Sequence, residues 1–408
     1  MRTVQYFSLL VDLDQTTSPT VYRVVHIAMS SLHVVMDERS PLNATIQHDP
    51  TDPTDLASGQ ILVHIAKFSL TANTVTYALV GRKQLNTFEH FPVANPRYAS
   101  TPAWGVGVVT VSKNTGLPIG TRLHGYFPMR KHVVLTPSPV KRKQFEDTAP
   151  HRANSIPAYR TYKLSAQPAT AEQMQLENLT ITDALLFSTG WGCAQQGLES
   201  GANTMLLTSA SSRTSLTAAF SAKHARMFRE IIGVTSARNV EFVKSTGLYD
   251  TVVTYDAISS LGHLPGRTVA VYDMAGNRKA KAELRKQLGA AVLDYGLVGQ
   301  TTVLNNTGSG RIDLHGGASE AGFLVFHALA AAGIKYGKSQ MASMLEEAQM
   351  AYMAWKLPTF VTQNVYGAEE TVNIWDATVN NVALAGTTYM CSLWEREEAE
   401  PWTFRSHL

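Results

Sequence analysis

The chain has 408 residues, 44% of them apolar and 16% charged. That length exceeds one ordinary core and predicts two domains, and the balance excludes wholesale disorder. The 35 Lys and Arg nearly cancel the 32 Asp and Glu, leaving +3; no basic stripe interleaves with aromatics, so no nucleic-acid partner is expected.

The first residues lack the basic-then-apolar pattern of a signal peptide. No apolar run approaches the roughly 18–20 residues that span a bilayer. A cytoplasmic chain with no membrane partner is the expectation. Residues 1–135 read as strands and turns, among them 21–27, 60–68 and 101–111, then the turn Asn114-Thr-Gly-Leu-Pro and the segment 120–127. Short strands punctuated by Gly and Pro predict a partly open β-barrel. Residues 137–170 carry basic residues and prolines and read as a polar connector, a solvated loop or lid.

From 172 to 300 helices alternate with short apolar strands. Strands are predicted at 204–209, 230–236, 251–255, 268–273 and 291–299, and helices at 215–226, 239–245 and 280–288. Such alternation predicts a doubly wound parallel sheet with helices on both faces. A Gly-rich segment (Gly308, Gly310, Gly316, Gly317) precedes an Ala-rich helix at 319–332. An amphipathic helix at 339–355 puts Met341, Met344, Leu345, Ala348, Ala351 and Tyr352 on one face, a core face rather than a cofactor box. Residues 370–376 and 382–393 return to β character. Cys193 and Cys391 are the only cysteines, too few for a disulfide framework or a four-ligand structural zinc site. The terminal Ser406-His407-Leu408 differs in its middle residue from the peroxisomal Ser-Lys-Leu address.

The segment richest in chemistry is Ser209-Ala-Ser-Ser-Arg-Thr-Ser215, a small-residue turn between a strand and a helix. Small side chains let a pyrophosphate approach the backbone, and amides at the positive end of a helix stabilise its charge. Ser209, Ser212 and Ser215 stand where glycines are usual; Ser211, Arg213 and Thr214 complete the candidate contacts. A serine-rich N-cap is the competing reading. The second strand ends at Ser236 and Arg238 with no acidic residue. An Arg there suits a 2′-phosphate, favouring NADPH over NADH; a cap serine beside a surface arginine is the alternative.

These residues, with Ser58-Gly-Gln-Ile-Leu-Val-His-Ile, Trp104-Gly-Val-Gly-Val-Val, Gly120-Thr-Arg-Leu-His-Gly125 and Thr189-Gly-Trp-Gly-Cys-Ala, resemble the medium-chain dehydrogenase/reductase superfamily, in its zinc-independent quinone-oxidoreductase and enoyl-reductase branches. Leu70-Thr-Ala-Asn-Thr-Val-Thr-Tyr77, Gly125-Tyr-Phe-Pro-Met, Thr208-Ser-Ala-Ser-Ser-Arg-Thr and Gly247-Leu-Tyr-Asp narrow the likeness to its DUF2855 branch.

The resemblance implies an α/β fold. A GroES-like, partly open β-barrel domain would comprise 1–170 and 335–408, and a Rossmann-type nucleotide-binding domain 171–334. It implies NADP(H) as cofactor, with Tyr255, Met274 and Gly276 beside it. It also implies a small-molecule substrate and a homodimer paired through an edge strand. Asn73, Tyr77 and Tyr126 fall in barrel segments that line the cleft in relatives, Asn73 to orient and the tyrosines to donate a hydrogen bond or proton. His124 and His132 lie nearby. The Cys and His zinc ligands of the alcohol-dehydrogenase branch have no counterpart. Tyr159-Arg-Thr-Tyr-Lys163 reproduces the short-chain Tyr-x-x-x-Lys spacing, but precedes the nucleotide domain and reads as coincidence. The implied activity is NADPH-dependent, zinc-independent reduction of an enone, enoyl or quinone-like compound. The alternative is a redox-silent scaffold of the same fold.

Overall fold

The computed structural model describes residues 7–11, 23–27, 32–48, 55–79, 81, 86–262, 266–274, 276–299 and 325–403. The Gly-rich segment at 308–317, the first part of the helix predicted at 319–332 and the terminal tripeptide lie outside them.

Strands β1 (Phe7–Val11) and β2 (Arg23–Ile27) form an antiparallel ribbon. β3 (Leu32–Asp37) pairs with β4 (Ser40–His48) and with the short β6 (Tyr98–Ala99). Between them runs β5 (Ile61–Leu70), buried along its whole length. Covered on both faces, it does not alternate, and its polar residues find partners instead. Lys67 pairs with Glu177 at 2.7 Å, and Ser69 accepts a hydrogen bond from Thr182. Helix α1 (Ala72–Leu79) follows at once. β7 (Pro102–Ser112), β8 (Arg122–Pro128) and β9 (His132–Leu135) continue the barrel sheet.

Residues 137–170 are not the solvated loop expected. They contain β10 (Gln144–Glu146), α2 (Pro157–Arg160) and β11 (Thr161–Ser165), and β11 joins β8 with Lys163 opposite His124. Phe145, Tyr159 and Tyr162 are buried, and the Tyr162 hydroxyl donates to the Tyr126 carbonyl at 2.8 Å. Three large aromatics outweigh the surrounding charge, because burying each contributes roughly 1.5–3 kcal/mol.

Helix α3 (Ala171–Glu199) links the two halves, capped by the Thr170 hydroxyl, which accepts from the Gln173 amide. Its first turns belong to the barrel: Glu177 accepts from Arg122 at 2.8 Å as well as from Lys67. Its last turns, with Phe187, Trp191 and Cys193, enter a second core. At Gly190 any Cβ would lie 2.4 Å from the Ala218 amide, so only glycine lets the next helix pack this closely.

The second sheet holds β12 (Thr204–Thr208), β13 (Glu230–Thr235), β14 (Thr251–Thr254), β15 (Val269–Asp273) and β16 (Val292–Leu297), all parallel. Its order is β14-β13-β12-β15-β16, so the winding reverses at β12. Helices α4 (Arg213–His224), α5 (Val240–Ser245) and α6 (Arg278–Leu288) return between strands. α7 (Val325–Tyr336) and α8 (Lys338–Lys356) form a hairpin. The apolar face of α8 packs into the second core beside Phe187 and Phe220, so α8, read with the barrel when the boundary is drawn at 335, sits with the parallel sheet.

The chain returns through β17 (Val361–Tyr366), α9 (Ala368–Val379), β18 (Thr387–Ser392) and α10 (Arg396–Thr403). Residues 370–376 are helical, not β as expected. Thr371 and Trp375, one turn apart, are both fully buried, and Glu369 and Glu370 complement the positive end of the helix. β18 pairs parallel with β17 and antiparallel with β5, which completes the barrel sheet in the order β10-β11-β8-β7-β5-β18-β17. Among the described residues no helix is long and apolar enough to cross a membrane.

Candidate functional site

The carboxyl end of β12 is where the winding reverses, the place at which open parallel sheets bind ligands. The serine turn lies there. Ser209 has φ +48°, the left-handed conformation that a glycine would take without strain. Two bonds to Tyr255 hold it: the Ser209 amide donates to the Tyr255 hydroxyl at 2.9 Å, and the two hydroxyls lie 3.0 Å apart. Ser212 caps α4, its hydroxyl accepting from the Ser215 amide at 3.2 Å. Ser215 is buried and donates to the Thr208 carbonyl at 2.7 Å. Ser215 thus belongs to the scaffold. The first-turn amides of Arg213 and Thr214 have no carbonyl partner within their own helix, and both residues face the cavity.

Arg213 does not reach out as a free cation. Its guanidinium pairs with the buried Asp183 of α3 at 3.0 Å and donates to the Thr387 carbonyl and the Thr388 hydroxyl of β18. Asp183 also accepts from the Tyr352 hydroxyl at 2.6 Å. Asn239, just past the end of β13, donates from its side chain to the hydroxyl of Ser211 in the serine turn at 3.0 Å. Ser236 keeps a buried hydroxyl without a partner among the described residues. Arg238 is exposed and donates to the Asn381 carbonyl across the cleft. At the end of β15, Asp273 accepts from the hydroxyls of Thr208 at 2.7 Å and Tyr295 at 3.2 Å, and from the Gly276 amide at 3.1 Å.

One cavity of about 690 Å³ runs past these residues into the barrel. On α1, Asn73 and Tyr77 stand one turn apart on the face that lines it. The Tyr77 hydroxyl lies 3.4 Å from that of Tyr159 on α2, which lines the same wall. Burial pushes the Tyr77 phenol up, partly offset by the neighbouring Tyr159 hydroxyl. Burial raises Tyr126 and Tyr159 further.

Eleven residues singled out from the sequence therefore share this cavity: Asn73, Tyr77, Ser209, Ser211, Ser212, Arg213, Thr214, Ser236, Arg238, Tyr255 and Met274. Two do not line it. Tyr126 is wholly buried behind Tyr77 and Tyr159, its ring 4.9 Å from that of Tyr159 and its hydroxyl without a partner among the described residues. Gly276, at φ +70°, shapes the turn that braces Asp273. Sequence reasoning passed over Tyr159; its Tyr-x-x-x-Lys spacing is idle, since Lys163 is exposed, and the signal that could have found it is the aromatic pair Phe145 and Tyr162 in a stretch read as solvated. Lys356 at the end of α8 also faces the cavity and gave no signal beyond a basic residue in a last helical turn. Among the described residues no cluster of three His, Cys, Asp or Glu could hold a metal.

Residues 68–383 match the profile of the family described as a protein of unknown function, DUF2855. The chain belongs to that family. No curated protein matches this DUF2855 chain. Its structure is similar to that of CurA from Vibrio vulnificus, with a TM-score of 0.58 at 13% identity over 89% of this chain and 99% of that one. CurA in complex with NADPH gives a TM-score of 0.58 at 12% identity, covering 88% and 99%. A mutant form of enoyl thioester reductase from Candida tropicalis gives 0.51 at 13% identity, covering 89% and 100%. At such identities the likeness is one of fold: a GroES-like barrel joined to a Rossmann-type domain.

Proposed function

We propose that this DUF2855 chain is an oxidoreductase that uses NADPH to reduce an activated C=C or carbonyl group, of the enone, enoyl or quinone-like class, without a metal. The observation that carries this reading is that the serine turn and the Asn73, Tyr77, Tyr159 wall line one cavity. The NADPH complex of the similar CurA structure supports it. A capped helix start, a turn held in a glycine-like conformation and room beside both fit a dinucleotide.

Ser209, Ser211, Ser212 and Thr214 would hold the phosphates, and Ser236 and Arg238 the 2′-phosphate. Tyr255 and Met274 would flank the cofactor. When bound, it supplies a hydride to the substrate. The chain supplies orientation and the accompanying proton. Tyr77, kept as a neutral phenol by burial, donates a hydrogen bond to the substrate oxygen on which charge develops, then the proton. Asn73 orients the same group. Tyr159 steadies the Tyr77 hydroxyl.

Titrating NADPH and NADH by fluorescence tests this. Arg238→Ala is expected to weaken NADPH about tenfold or more and to leave NADH unchanged, because a hydrogen bond to a charged group contributes roughly 1.5–3 kcal/mol. Equal weakening of both would reject the 2′-phosphate assignment. Binding of neither would favour the redox-silent scaffold, a reading that draws on the serines at glycine positions and the Arg213–Asp183 pairing.

A further inference from the structure

We propose that Lys356 is the cationic seat for the phosphoanhydride of the bound nucleotide, the part that the sequence suggested for Arg213. This inference rests on the nucleotide-binding reading above. Lys356 closes the last turn of α8, one turn beyond Tyr352, whose hydroxyl is bonded to Asp183. The two therefore share a helix face, turned toward the Asp183–Arg213 pair. Lys356 is only 5% exposed, and its side chain lines the cavity together with Ser212, Arg213 and Thr214.

Its ammonium makes no ion pair and no hydrogen bond with any described residue. Asp183, the acidic group that acts on it, is already shared between the Arg213 guanidinium and the Tyr352 hydroxyl. Two cations thus face one carboxylate, and the surplus positive charge sits in a buried wall. A buried ammonium without a partner is unfavourable and is rarely retained for stability. Burial lowers its tendency to hold a proton and Arg213 lowers it further, while Asp183 opposes both.

An anion at the start of α4 would lie between the first-turn amides and this ammonium, and would complete the cluster. An anion held against α4 lies on the sheet side of the cavity and is a phosphoanhydride rather than a substrate carboxylate. The barrel wall, where a substrate would react, contributes Asn73, Tyr77 and Tyr159 instead.

The test uses the full-length protein, the variants Lys356→Met and Lys356→Arg, and three probes. NADPH and NADH carry the phosphoanhydride; adenosine 2′-monophosphate does not. Lys356→Met is expected to weaken NADPH and NADH by the same factor, roughly 10- to 100-fold, and to leave adenosine 2′-monophosphate unchanged. Lys356→Arg is expected to restore most of the loss. Without ligand, Lys356→Met should melt no lower than wild type, since it removes an unpaired buried charge of similar volume, while the rise in Tm that NADPH induces shrinks. Should Lys356→Met fail to fold, Lys356→Gln makes the same comparison. Wild type binding NADPH while the neutral variant binds it within twofold would overturn the proposal and leave the cofactor reading standing. Wild type binding neither nucleotide would overturn both.

Discussion

On the barrel side of the cavity three phenols, Tyr77, Tyr126 and Tyr159, pack with Trp104 at ring distances of 4.9–6.1 Å. Behind them the buried Arg152 donates to the Tyr159 carbonyl, and among the described residues no charged side chain of the barrel lines the cavity. On the sheet side the wall is made of hydroxyls, helix amides and the charges of Arg213, Arg238 and Lys356. The phenols are held by burial, and burial keeps them neutral. On the sheet side Ser209, Ser212, Arg213 and Arg238 are held by directed bonds, while Lys356 and the Ser236 hydroxyl have no partner among the described residues. A neutral, desolvated wall suits proton donation at a developing charge, and a wall rich in donors and cations suits a standing anion.

The contrast is broken most sharply at Tyr77. Tyr77→Phe keeps the ring packing and removes the cavity-facing phenol of α1 that lies beside the Tyr159 hydroxyl. Loss of a general acid lowers kcat by about 10²-fold or more, and NADPH affinity should not move, because the residue lies on the other wall. Steady-state rates with an enone, set beside a fluorescence titration, decide it. A shifted Kd with an unchanged kcat would put Tyr77 in binding rather than in chemistry.

The effect expected next in size lies on the sheet side and is structural. Asp183 is fully buried and joins α3, α4 and α8. Asp183→Asn keeps its shape but leaves Arg213 and Lys356 without a counter-charge. Stranding a buried charge destabilises by roughly 3–5 kcal/mol, and partial exposure of Arg213 puts this case at the lower end. Urea unfolding should register it. A change below about 1 kcal/mol would mean that solvent already screens the cluster.

The βα alternation of 204–297 was legible in the sequence because each strand is a short apolar run closed by small or polar residues. The pairing of Asn73 with Tyr77 was not, since that stretch reads as strand and turn and only its folding into α1 sets the two one turn apart. Residues 370–376 were not, since Val372, Ile374 and Trp375 favour strands locally and only the burial of Thr371 and Trp375 on one face makes them helical. The role of Arg213 was hidden for a different reason. Its partner Asp183 stands 30 positions away on another helix, and no local pattern records which carboxylate a guanidinium will meet. Lys356 was hidden likewise, because burial of a lone lysine is a property of the packed helices.

Ser209→Gly sharpens the comparison with the smallest effect. The left-handed conformation at Ser209 costs a residue with a Cβ about 1–2 kcal/mol. Glycine would relieve that strain. It would also remove the hydroxyl that bonds Tyr255 at 3.0 Å, worth about 1 kcal/mol, and it would loosen the unfolded chain by a further 0.4–1 kcal/mol or so. The amide bond to the Tyr255 hydroxyl survives the change. These contributions nearly cancel, so stability should move by less than about 1 kcal/mol. If the serine merely stands in for a glycine, NADPH affinity should stay within about threefold. A tenfold loss would instead assign the Ser209 hydroxyl to the phosphate itself. The turn would then recognise its anion by side-chain donors as well as by backbone, which would explain how it dispenses with glycine.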